Sequence, residues 1–312
     1  MKKLITLALA LVLVATAACA SAANVGVIQL VQHEALDAAT QGFKDALTAL
    51  MGDEVSFDEQ NASGDTAACS TIVNGFVSSG VDLIFANATP ALQAAVSATG
   101  DIPILGTSIT SYGVALGIEM NDADGTGINV SGTSDLAPLD GQAQMIKELF
   151  PDAKTIGLIF CSAEANSQYQ VNTIRGYLEE LGYTCVDYAF ADSNDLASVT
   201  QSAADNSDVI YIPTDNTAAA YTETIANVVI PAGVPVVAGE EGICRGCGVA
   251  TLTISYYDIG YATGEMAYEI LMEGADVSTM PIQFAPQFVK KYHAENAEAL
   301  GIAIPDGYEV ME

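Results

Sequence analysis

Thr155-Ile156-Gly157-Leu158-Ile159-Phe160 is an unbroken apolar run that soon gives way to Ser162-Ala163-Glu164-Ala165-Asn166-Ser167-Gln168. Apolar residues without alternation fit a strand covered on both faces. The polar segment behind it can cap a following helix while its free amides face a ligand. The construction recurs along the chain. Runs at 82–86, 102–106, 208–212 and 234–238 end in Asn87-Ala88-Thr89-Pro90, Thr107-Ser108-Ile109-Thr110, Thr214-Asp215-Asn216-Thr217 and Glu240-Glu241-Gly242. In an open parallel sheet, ligands bind outside the carboxyl ends of the strands. The pattern predicts an α/β binding protein whose two lobes each contribute such ends.

Helical spacing fills the intervals. Phe43, Leu47 and Leu50 mark a helix ending at Gly52; Ile72, Val73, Phe76 and Val77 mark another ending at Gly80. Thr89 is the expected N-cap of a third helix, with Pro90 at its first position. Strands alternating with helices imply right-handed crossovers and parallel sheets, so each lobe is Rossmann-like. The pattern breaks into Gly, Asn and Asp over 112–135, and the first passage between lobes is expected near 129–132. Helices at 139–150, 169–181, 196–204 and 218–229 and a strand at 183–190 complete the second lobe. A further strand at 251–255 leads into a helix through Ile259, Met266, Ile270 and Leu271, which stops at Gly274. The expected division is 24–133 with 254–280 for the N-terminal lobe and 134–253 with 281–312 for the C-terminal lobe. Such a joint of several passages permits hinge bending without separation.

Lys2 and Lys3, an apolar run from Leu4 to Val14 and small residues to Ala23 read as a secretory signal over 1–23. Cys19 is an alternative lipidation point, although Thr16 stands where a lipobox has an aliphatic residue. Export, to the periplasm or cell surface, is expected either way. With 50% hydrophobic residues the chain can bury sizeable cores. Its 9 Lys+Arg against 39 Asp+Glu give a net charge of -30, which repels nucleic acid and anionic membranes. Beyond Cys19 there are five cysteines, an odd number, so at least one thiol should be free. Cys244-Arg245-Gly246-Cys247 has metal or redox spacing, but zinc needs two more ligands. A local disulfide or two idle thiols is the simpler reading, and neither metal nor cofactor is expected.

The chain resembles the exported substrate-binding proteins of ABC transporters, in the branch associated with tryptophan, tyrosine and related amino acids. The resemblance is carried by Ile28-Gln29-Leu30-Val31-Gln32-His33 with Ala35-Leu36-Asp37, Ala88-Thr89-Pro90, Ser131-Gly132-Thr133-Ser134-Asp135, Ser162 to Ser167, Pro213 to Thr217, Gly239-Glu240-Glu241-Gly242 and Tyr256-Tyr257. It covers nearly all of the mature chain in the same order. It implies a type I periplasmic-binding-protein fold, a small ligand between the lobes and delivery to a membrane permease; the protein is expected to be a monomer. Glu34 stands where a proline is common, Ser111-Tyr112 replaces an Asp-Pro, and Cys161 replaces a polar residue.

For an α-amino acid, Thr89, Ser108 and Thr110 are candidate donors to the carboxylate. Glu241, with Asp215 as second candidate, is the candidate acceptor for the ammonium; branched-chain amino-acid receptors resemble this chain in a Glu-Gly pair at that place. Asn166, Ser167 and Asn216 complete the polar shell, and Tyr256, Tyr257 and His33 could flank an aromatic side chain. Gln29, Glu164 and Glu240 join the candidates from the motifs above. Several have a plainer alternative: Thr89, Asp215 and 162–167 can be helix starts, one tyrosine can be core, and His33 can be a bonded loop residue; Glu240-Glu241 is harder to dismiss, since two acids directly after a strand need a cation or donors nearby. Only His33 and His293 are present, with no nucleophile elbow, phosphate loop or zinc signature, so catalysis is not expected. A sensor subunit for a membrane receptor, or transport of a purine or nucleoside, would use the same fold.

Overall fold

The computed structural model describes residues 22–311; residues 1–21 of the expected signal, including Cys19, lie outside them, and Ala23 at its expected end already begins the first strand. The first lobe is built from β1 (Ala23–Gln29), α1 (Glu34–Met51), β2 (Val55–Asn61), α2 (Thr66–Ser79), β3 (Leu83–Asn87), α3 (Thr89–Ala98), β4 (Ile104–Ile109), α4 (Tyr112–Leu116) and β5 (Val130–Ser134). The second follows as α5 (Leu139–Leu149), β6 (Thr155–Cys161), α6 (Ala165–Glu180), β7 (Thr184–Phe190), α7 (Ser193–Asn206), β8 (Val209–Ile212), α8 (Asn216–Ala220), α9 (Thr222–Ala232), β9 (Val236–Ala238), α10 (Glu241–Cys247) and β10 (Ala250–Thr253). Then α11 (Tyr256–Tyr268) and β11 (Gln283–Phe284) return to the first lobe, and β12 (Val289–Tyr292), α12 (Ala294–Ala299) and β13 (Glu309–Val310) finish in the second. The strand orders are β11-β5-β4-β3-β1-β2 and β13-β12-β10-β9-β8-β6-β7.

The continuous apolar runs are buried from both sides, as two-sided sheets require. In the first sheet Val25, Val27, Leu83 and Phe85 pack with Phe43, Leu47 and Met266 of α1 and α11. The alternate residues Ile28, Ile84 and Ala86 pack with Val73, Phe76 and Leu92 of α2 and α3. In the second, Ile156, Leu158 and Tyr211 pack under α5 and α6, while Ile159, Ile210 and Ile212 pack under α7 and α9.

Several expected boundaries move. The stretch at 129–132 is part of β5 and its approach, because Val130 to Ser134 pairs with β4; the chain leaves the first sheet after Ser134. β11 pairs with β5, so 281–284 stays with the first lobe and the last passage lies between Phe284 and Val289. The helix expected over 218–229 breaks at Tyr221, whose backbone departs from helical values (φ -127, ψ 33). Ala88, not Thr89, occupies the N-cap position of α3, and no side chain caps that helix. The short helix α10 and the strand β12 were not anticipated, and β12 runs antiparallel to β10, an exception to the parallel pattern. Cys69, Cys161, Cys185, Cys244 and Cys247 are all free thiols, so the Cys-x-x-Cys pair is unbridged.

The return of α11 onto α1 closes the first lobe, and glycine makes it possible. A Cβ at Gly42 would lie 2.1 Å from the Tyr257 carbonyl oxygen, and one at Gly260 would lie 2.0 Å from that of Ala39. The helices therefore touch backbone to backbone. Gly260→Ala is expected to cost about 3 kcal/mol in urea denaturation, since the obstacle is backbone and cannot rotate away. Gly75→Ala, in α2 with open space around it, should instead gain about 0.5–1 kcal/mol. Equal responses at the two sites would refute this account of the α1–α11 contact.

Candidate ligand site

The carboxyl ends of both sheets face each other across a cleft, which the structure holds shut. His33 Nε2, in the β1–α1 loop, meets Asn216 Oδ1 at the start of α8 at 3.3 Å. Gln170 Nε2 of α6 donates to Thr110 Oγ1 at 3.1 Å, and Arg245 Nε of α10 donates to Glu34 Oε2 of α1 at 3.0 Å. Behind these bonds lies a small central cavity of about 10 Å³, lined by His33, Leu36, Ser108, Asp135 and Tyr256 on one side and Asn166, Thr214, Asp215, Asn216, Ala219 and Glu240 on the other.

The cavity is rich in acceptors. Among the described residues no Lys or Arg lines it, yet it holds three buried carboxyls. Asp135 follows β5 and accepts the hydroxyls of Tyr256 at 2.9 Å and Thr110 at 3.2 Å, together with its own backbone amide. Burial pushes its pKa up to about 6. Glu240 is the N-cap of α10, accepting the amides of Gly242, at 2.7 Å, and Ile243; burial outweighs these bonds and lifts it to about 7. Asp215 caps α8 through the Ala218 amide at 2.8 Å and accepts the Cys161 amide at 2.6 Å. Burial and the Glu164 charge raise it. Three further polar atoms, Ser108 Oγ, Asn166 Oδ1 and His33 Nδ1, are buried with no hydrogen-bond partner among the described residues. Since Asn216 Nδ2 donates to Glu164, its Oδ1 is the acceptor facing His33. Nε2 of His33 then carries the proton, and Nδ1 is a bare acceptor. Burial lowers the His33 pKa, which favours this neutral form. Ser108 is held at φ 56 and Ala88 at φ 89, left-handed backbone of the kind that collects at binding sites.

Seven sequence candidates thus line one chamber: His33, Ser108, Asn166, Asp215, Asn216, Glu240 and Tyr256. The others are placed elsewhere. Gln29 is tied to Asp37 and Thr40, each at 2.7 Å, beside a separate polar hollow. Thr89 is buried in the first turn of α3. Thr110 supports Asp135 and Gln170. Ser167 lies behind Asn166. Glu164 spends both oxygens on Asn216 and Thr217. Glu241, expected to receive the ammonium, is instead ion-paired with Arg245 at 2.8 Å and Lys291 at 2.6 Å; as the first helical residue of α10 it turns away from Glu240. Tyr257 is exposed and donates to Asp45. Asp135 is a chamber residue that sequence reasoning missed, although it directly follows a strand as the other chamber candidates at strand ends do.

A family model described as "ABC transporter substrate binding protein" matches residues 24–310. A "Tyrosine-binding protein" of Clostridioides difficile (strain R20291) is 37% identical over 262 residues, which is 83% of this chain and 75% of that protein. Among solved structures, an ABC domain in complex with L-Trp from Streptococcus pneumoniae is 32% identical with a TM-score of 0.88, covering 93% of this chain and 100% of that one. The ligand-free, open structure of a substrate-binding protein with adhesive properties from Clostridium difficile is 35% identical, with a TM-score of 0.70 over 93% of this chain and 99% of that one. The present arrangement is nearer to the ligand-bound structure than to the open one, in keeping with the bonds that cross its cleft. The chain belongs to the ABC transporter substrate-binding proteins, and its architecture is that of a type I periplasmic binding protein.

Proposed function

We propose that this protein captures a free α-amino acid, of the aromatic class, between its lobes outside the cytoplasm and delivers it to the membrane permease of an ABC importer. The single observation that carries the ligand class is the convergence of Asp135, Asp215 and Glu240 on one chamber with no cationic side chain in its lining. Buried carboxylates demand a counter-charge or a proton, and an ammonium supplies the charge together with three donors. Asp135 is its principal acceptor, because the side-chain donors to its oxygens are the hydroxyls of Tyr256 and Thr110, which can rotate aside. Asn166 Oδ1 and His33 Nδ1 are within the same lining. Ser108 Oγ and the uncapped start of α3 are the donors that suit the carboxylate. The tyrosine and tryptophan named for the relatives agree with this head-group chemistry.

The two sheets act as two bodies around the ligand, with passages after Ser134, after Thr253 and between Phe284 and Val289 serving as the hinge. Contacts from both sides of the chamber mean that the ligand favours the closed arrangement through its differential affinity.

Isothermal calorimetry tests the assignment. Asp135→Asn should weaken L-tryptophan or L-tyrosine binding by about 1.5–3 kcal/mol, roughly ten- to hundredfold. Glu241→Gln, whose partners are Arg245 and Lys291, should leave the dissociation constant within a factor of about three. If Glu241→Gln has the larger effect, the ammonium sits in the outer ion-pair cluster and the chamber assignment fails.

The raised acids also set a pH dependence. Asp135 and Glu240 hold protons in the folded, ligand-free state that the unfolded chain has released near pH 4, so their contribution to stability is present at low pH and is lost as pH rises through about 6 to 7. An ammonium ligand needs the ionised forms. Its affinity should therefore fall as pH drops from 8 to 5.5, and near pH 6 binding should release protons, visible as a buffer-dependent heat. Proton uptake on binding would contradict a cationic head group in this chamber.

A further inference from the structure

We propose that the ligand's side chain leaves the central chamber past Asn216 and occupies a second cavity at the cleft mouth, where Tyr221 and Pro90 face it, so that this cavity rather than Tyr256 and Tyr257 sets side-chain selectivity. The inference rests on the amino-acid reading above and deepens it. The central chamber, at about 10 Å³, has room for about one water-sized group, such as the ammonium, and none for a side chain. The cavity at the mouth measures about 230 Å³ and takes its walls from both lobes: Leu30, Val31 and Pro90 from the first, Ala163, Ala220 and Tyr221 from the second. Asn216 lines both spaces. Its Nδ2 donates to Glu164 at 2.7 Å and its Oδ1 faces His33, which makes it the partition between them.

The chemistry of the mouth cavity fits an apolar ring. Glu164 points no free oxygen at it, since Asn216 and Thr217 supply four donors at 2.7–3.0 Å. Asp192, on the exposed rim, holds Asn194 at the start of α7. Burial keeps the Cys161 thiol neutral, with its pKa pushed up to about 11. The oxygens of Glu164 are thus occupied, and among the described residues no Lys or Arg lines the cavity to pair with an acidic side chain. The break between α8 and α9 falls at Tyr221, which is 46% exposed and contributes to the wall of this cavity. A ring bound there would cover a tyrosine face that water now covers, a favourable exchange.

The competing space, about 240 Å³ on the hinge side, shares Glu240 and Tyr256 with the chamber but is walled by Glu34, Glu241 and Lys291. These belong to an ion-pair chain through Arg245, and an apolar ring against it would strip water from charges without replacing it. Tyr256 there is committed to Asp135, and Tyr257 to Asp45.

The test fills each cavity in turn and measures binding of L-tryptophan, L-tyrosine and L-alanine by calorimetry. Ala220→Leu, and separately Ala163→Leu on its exposed turn, should weaken tryptophan and tyrosine by about tenfold or more while leaving alanine within about twofold; two sites guard against one variant misfolding, and the melting temperature of each is recorded. Ala38→Leu, which fills the hinge-side space, should leave all three ligands within about twofold. Loss of the aromatic ligands in Ala38→Leu but not in the other two overturns the proposal, as does an equal loss of alanine and the aromatics in both mouth variants. If the unmodified protein binds no amino acid, the head-group reading itself falls. If it binds aromatics and neither mouth variant changes that, only the side-chain assignment falls.

Discussion

Burying three carboxyl groups in one small chamber is the constraint on which the rest of the molecule depends. Each is held by groups that a sheet's carboxyl end naturally provides: helix-start amides for Asp215 and Glu240, hydroxyls for Asp135. Those donors fix where the carboxyls sit but do not cancel their charge. Closure therefore brings together two half-sites that repel each other unless protons or a cation intervene. The cross-cleft bonds of His33, Gln170 and Arg245 work against that repulsion, and none of them touches the chamber's acids directly. In the proposed complex the ligand's ammonium removes the penalty, which is why the same residues that bind it also report it to the lobes.

The architecture was legible because the runs themselves were unambiguous. Stretches such as Ile156 to Phe160 and Leu83 to Ala86 contain no polar break, and only a strand covered on both faces buries such a run at that length. The polar residues at their ends could then be located on one side of each sheet without any knowledge of contacts. That rule alone found Ser108, Asn166, Asp215, Asn216 and Glu240 of the chamber lining, while His33 and Tyr256 came from the family motifs. It should have found Asp135 as well; the Gly and Asn residues before β5 obscured the strand and hence the significance of its last residues.

Direction of side chains was not legible. Glu240 and Glu241 are neighbours in sequence, but the first caps a helix and the second begins it, so their carboxyls diverge, one into the chamber and the other to Arg245 and Lys291. A helix of seven residues with two glycines offers little periodicity to announce that divergence. Likewise Tyr256 and Tyr257 are split by helical geometry into one buried and one exposed ring. Pairings across 100 or more residues, such as Glu34 with Arg245, leave no local trace at all.

The chain runs between the sheets along three separate paths, after Ser134, after Thr253 and between Phe284 and Val289. Three side-by-side struts behave mechanically unlike one flexible cord. They can flex together about a common line, but twisting one lobe against the other would stretch at least one of them, and backbone does not stretch. Opening is thus restricted to something close to a single swinging coordinate, so that each closure returns Asp135, Asp215 and Glu240 to the same register without having to search for it.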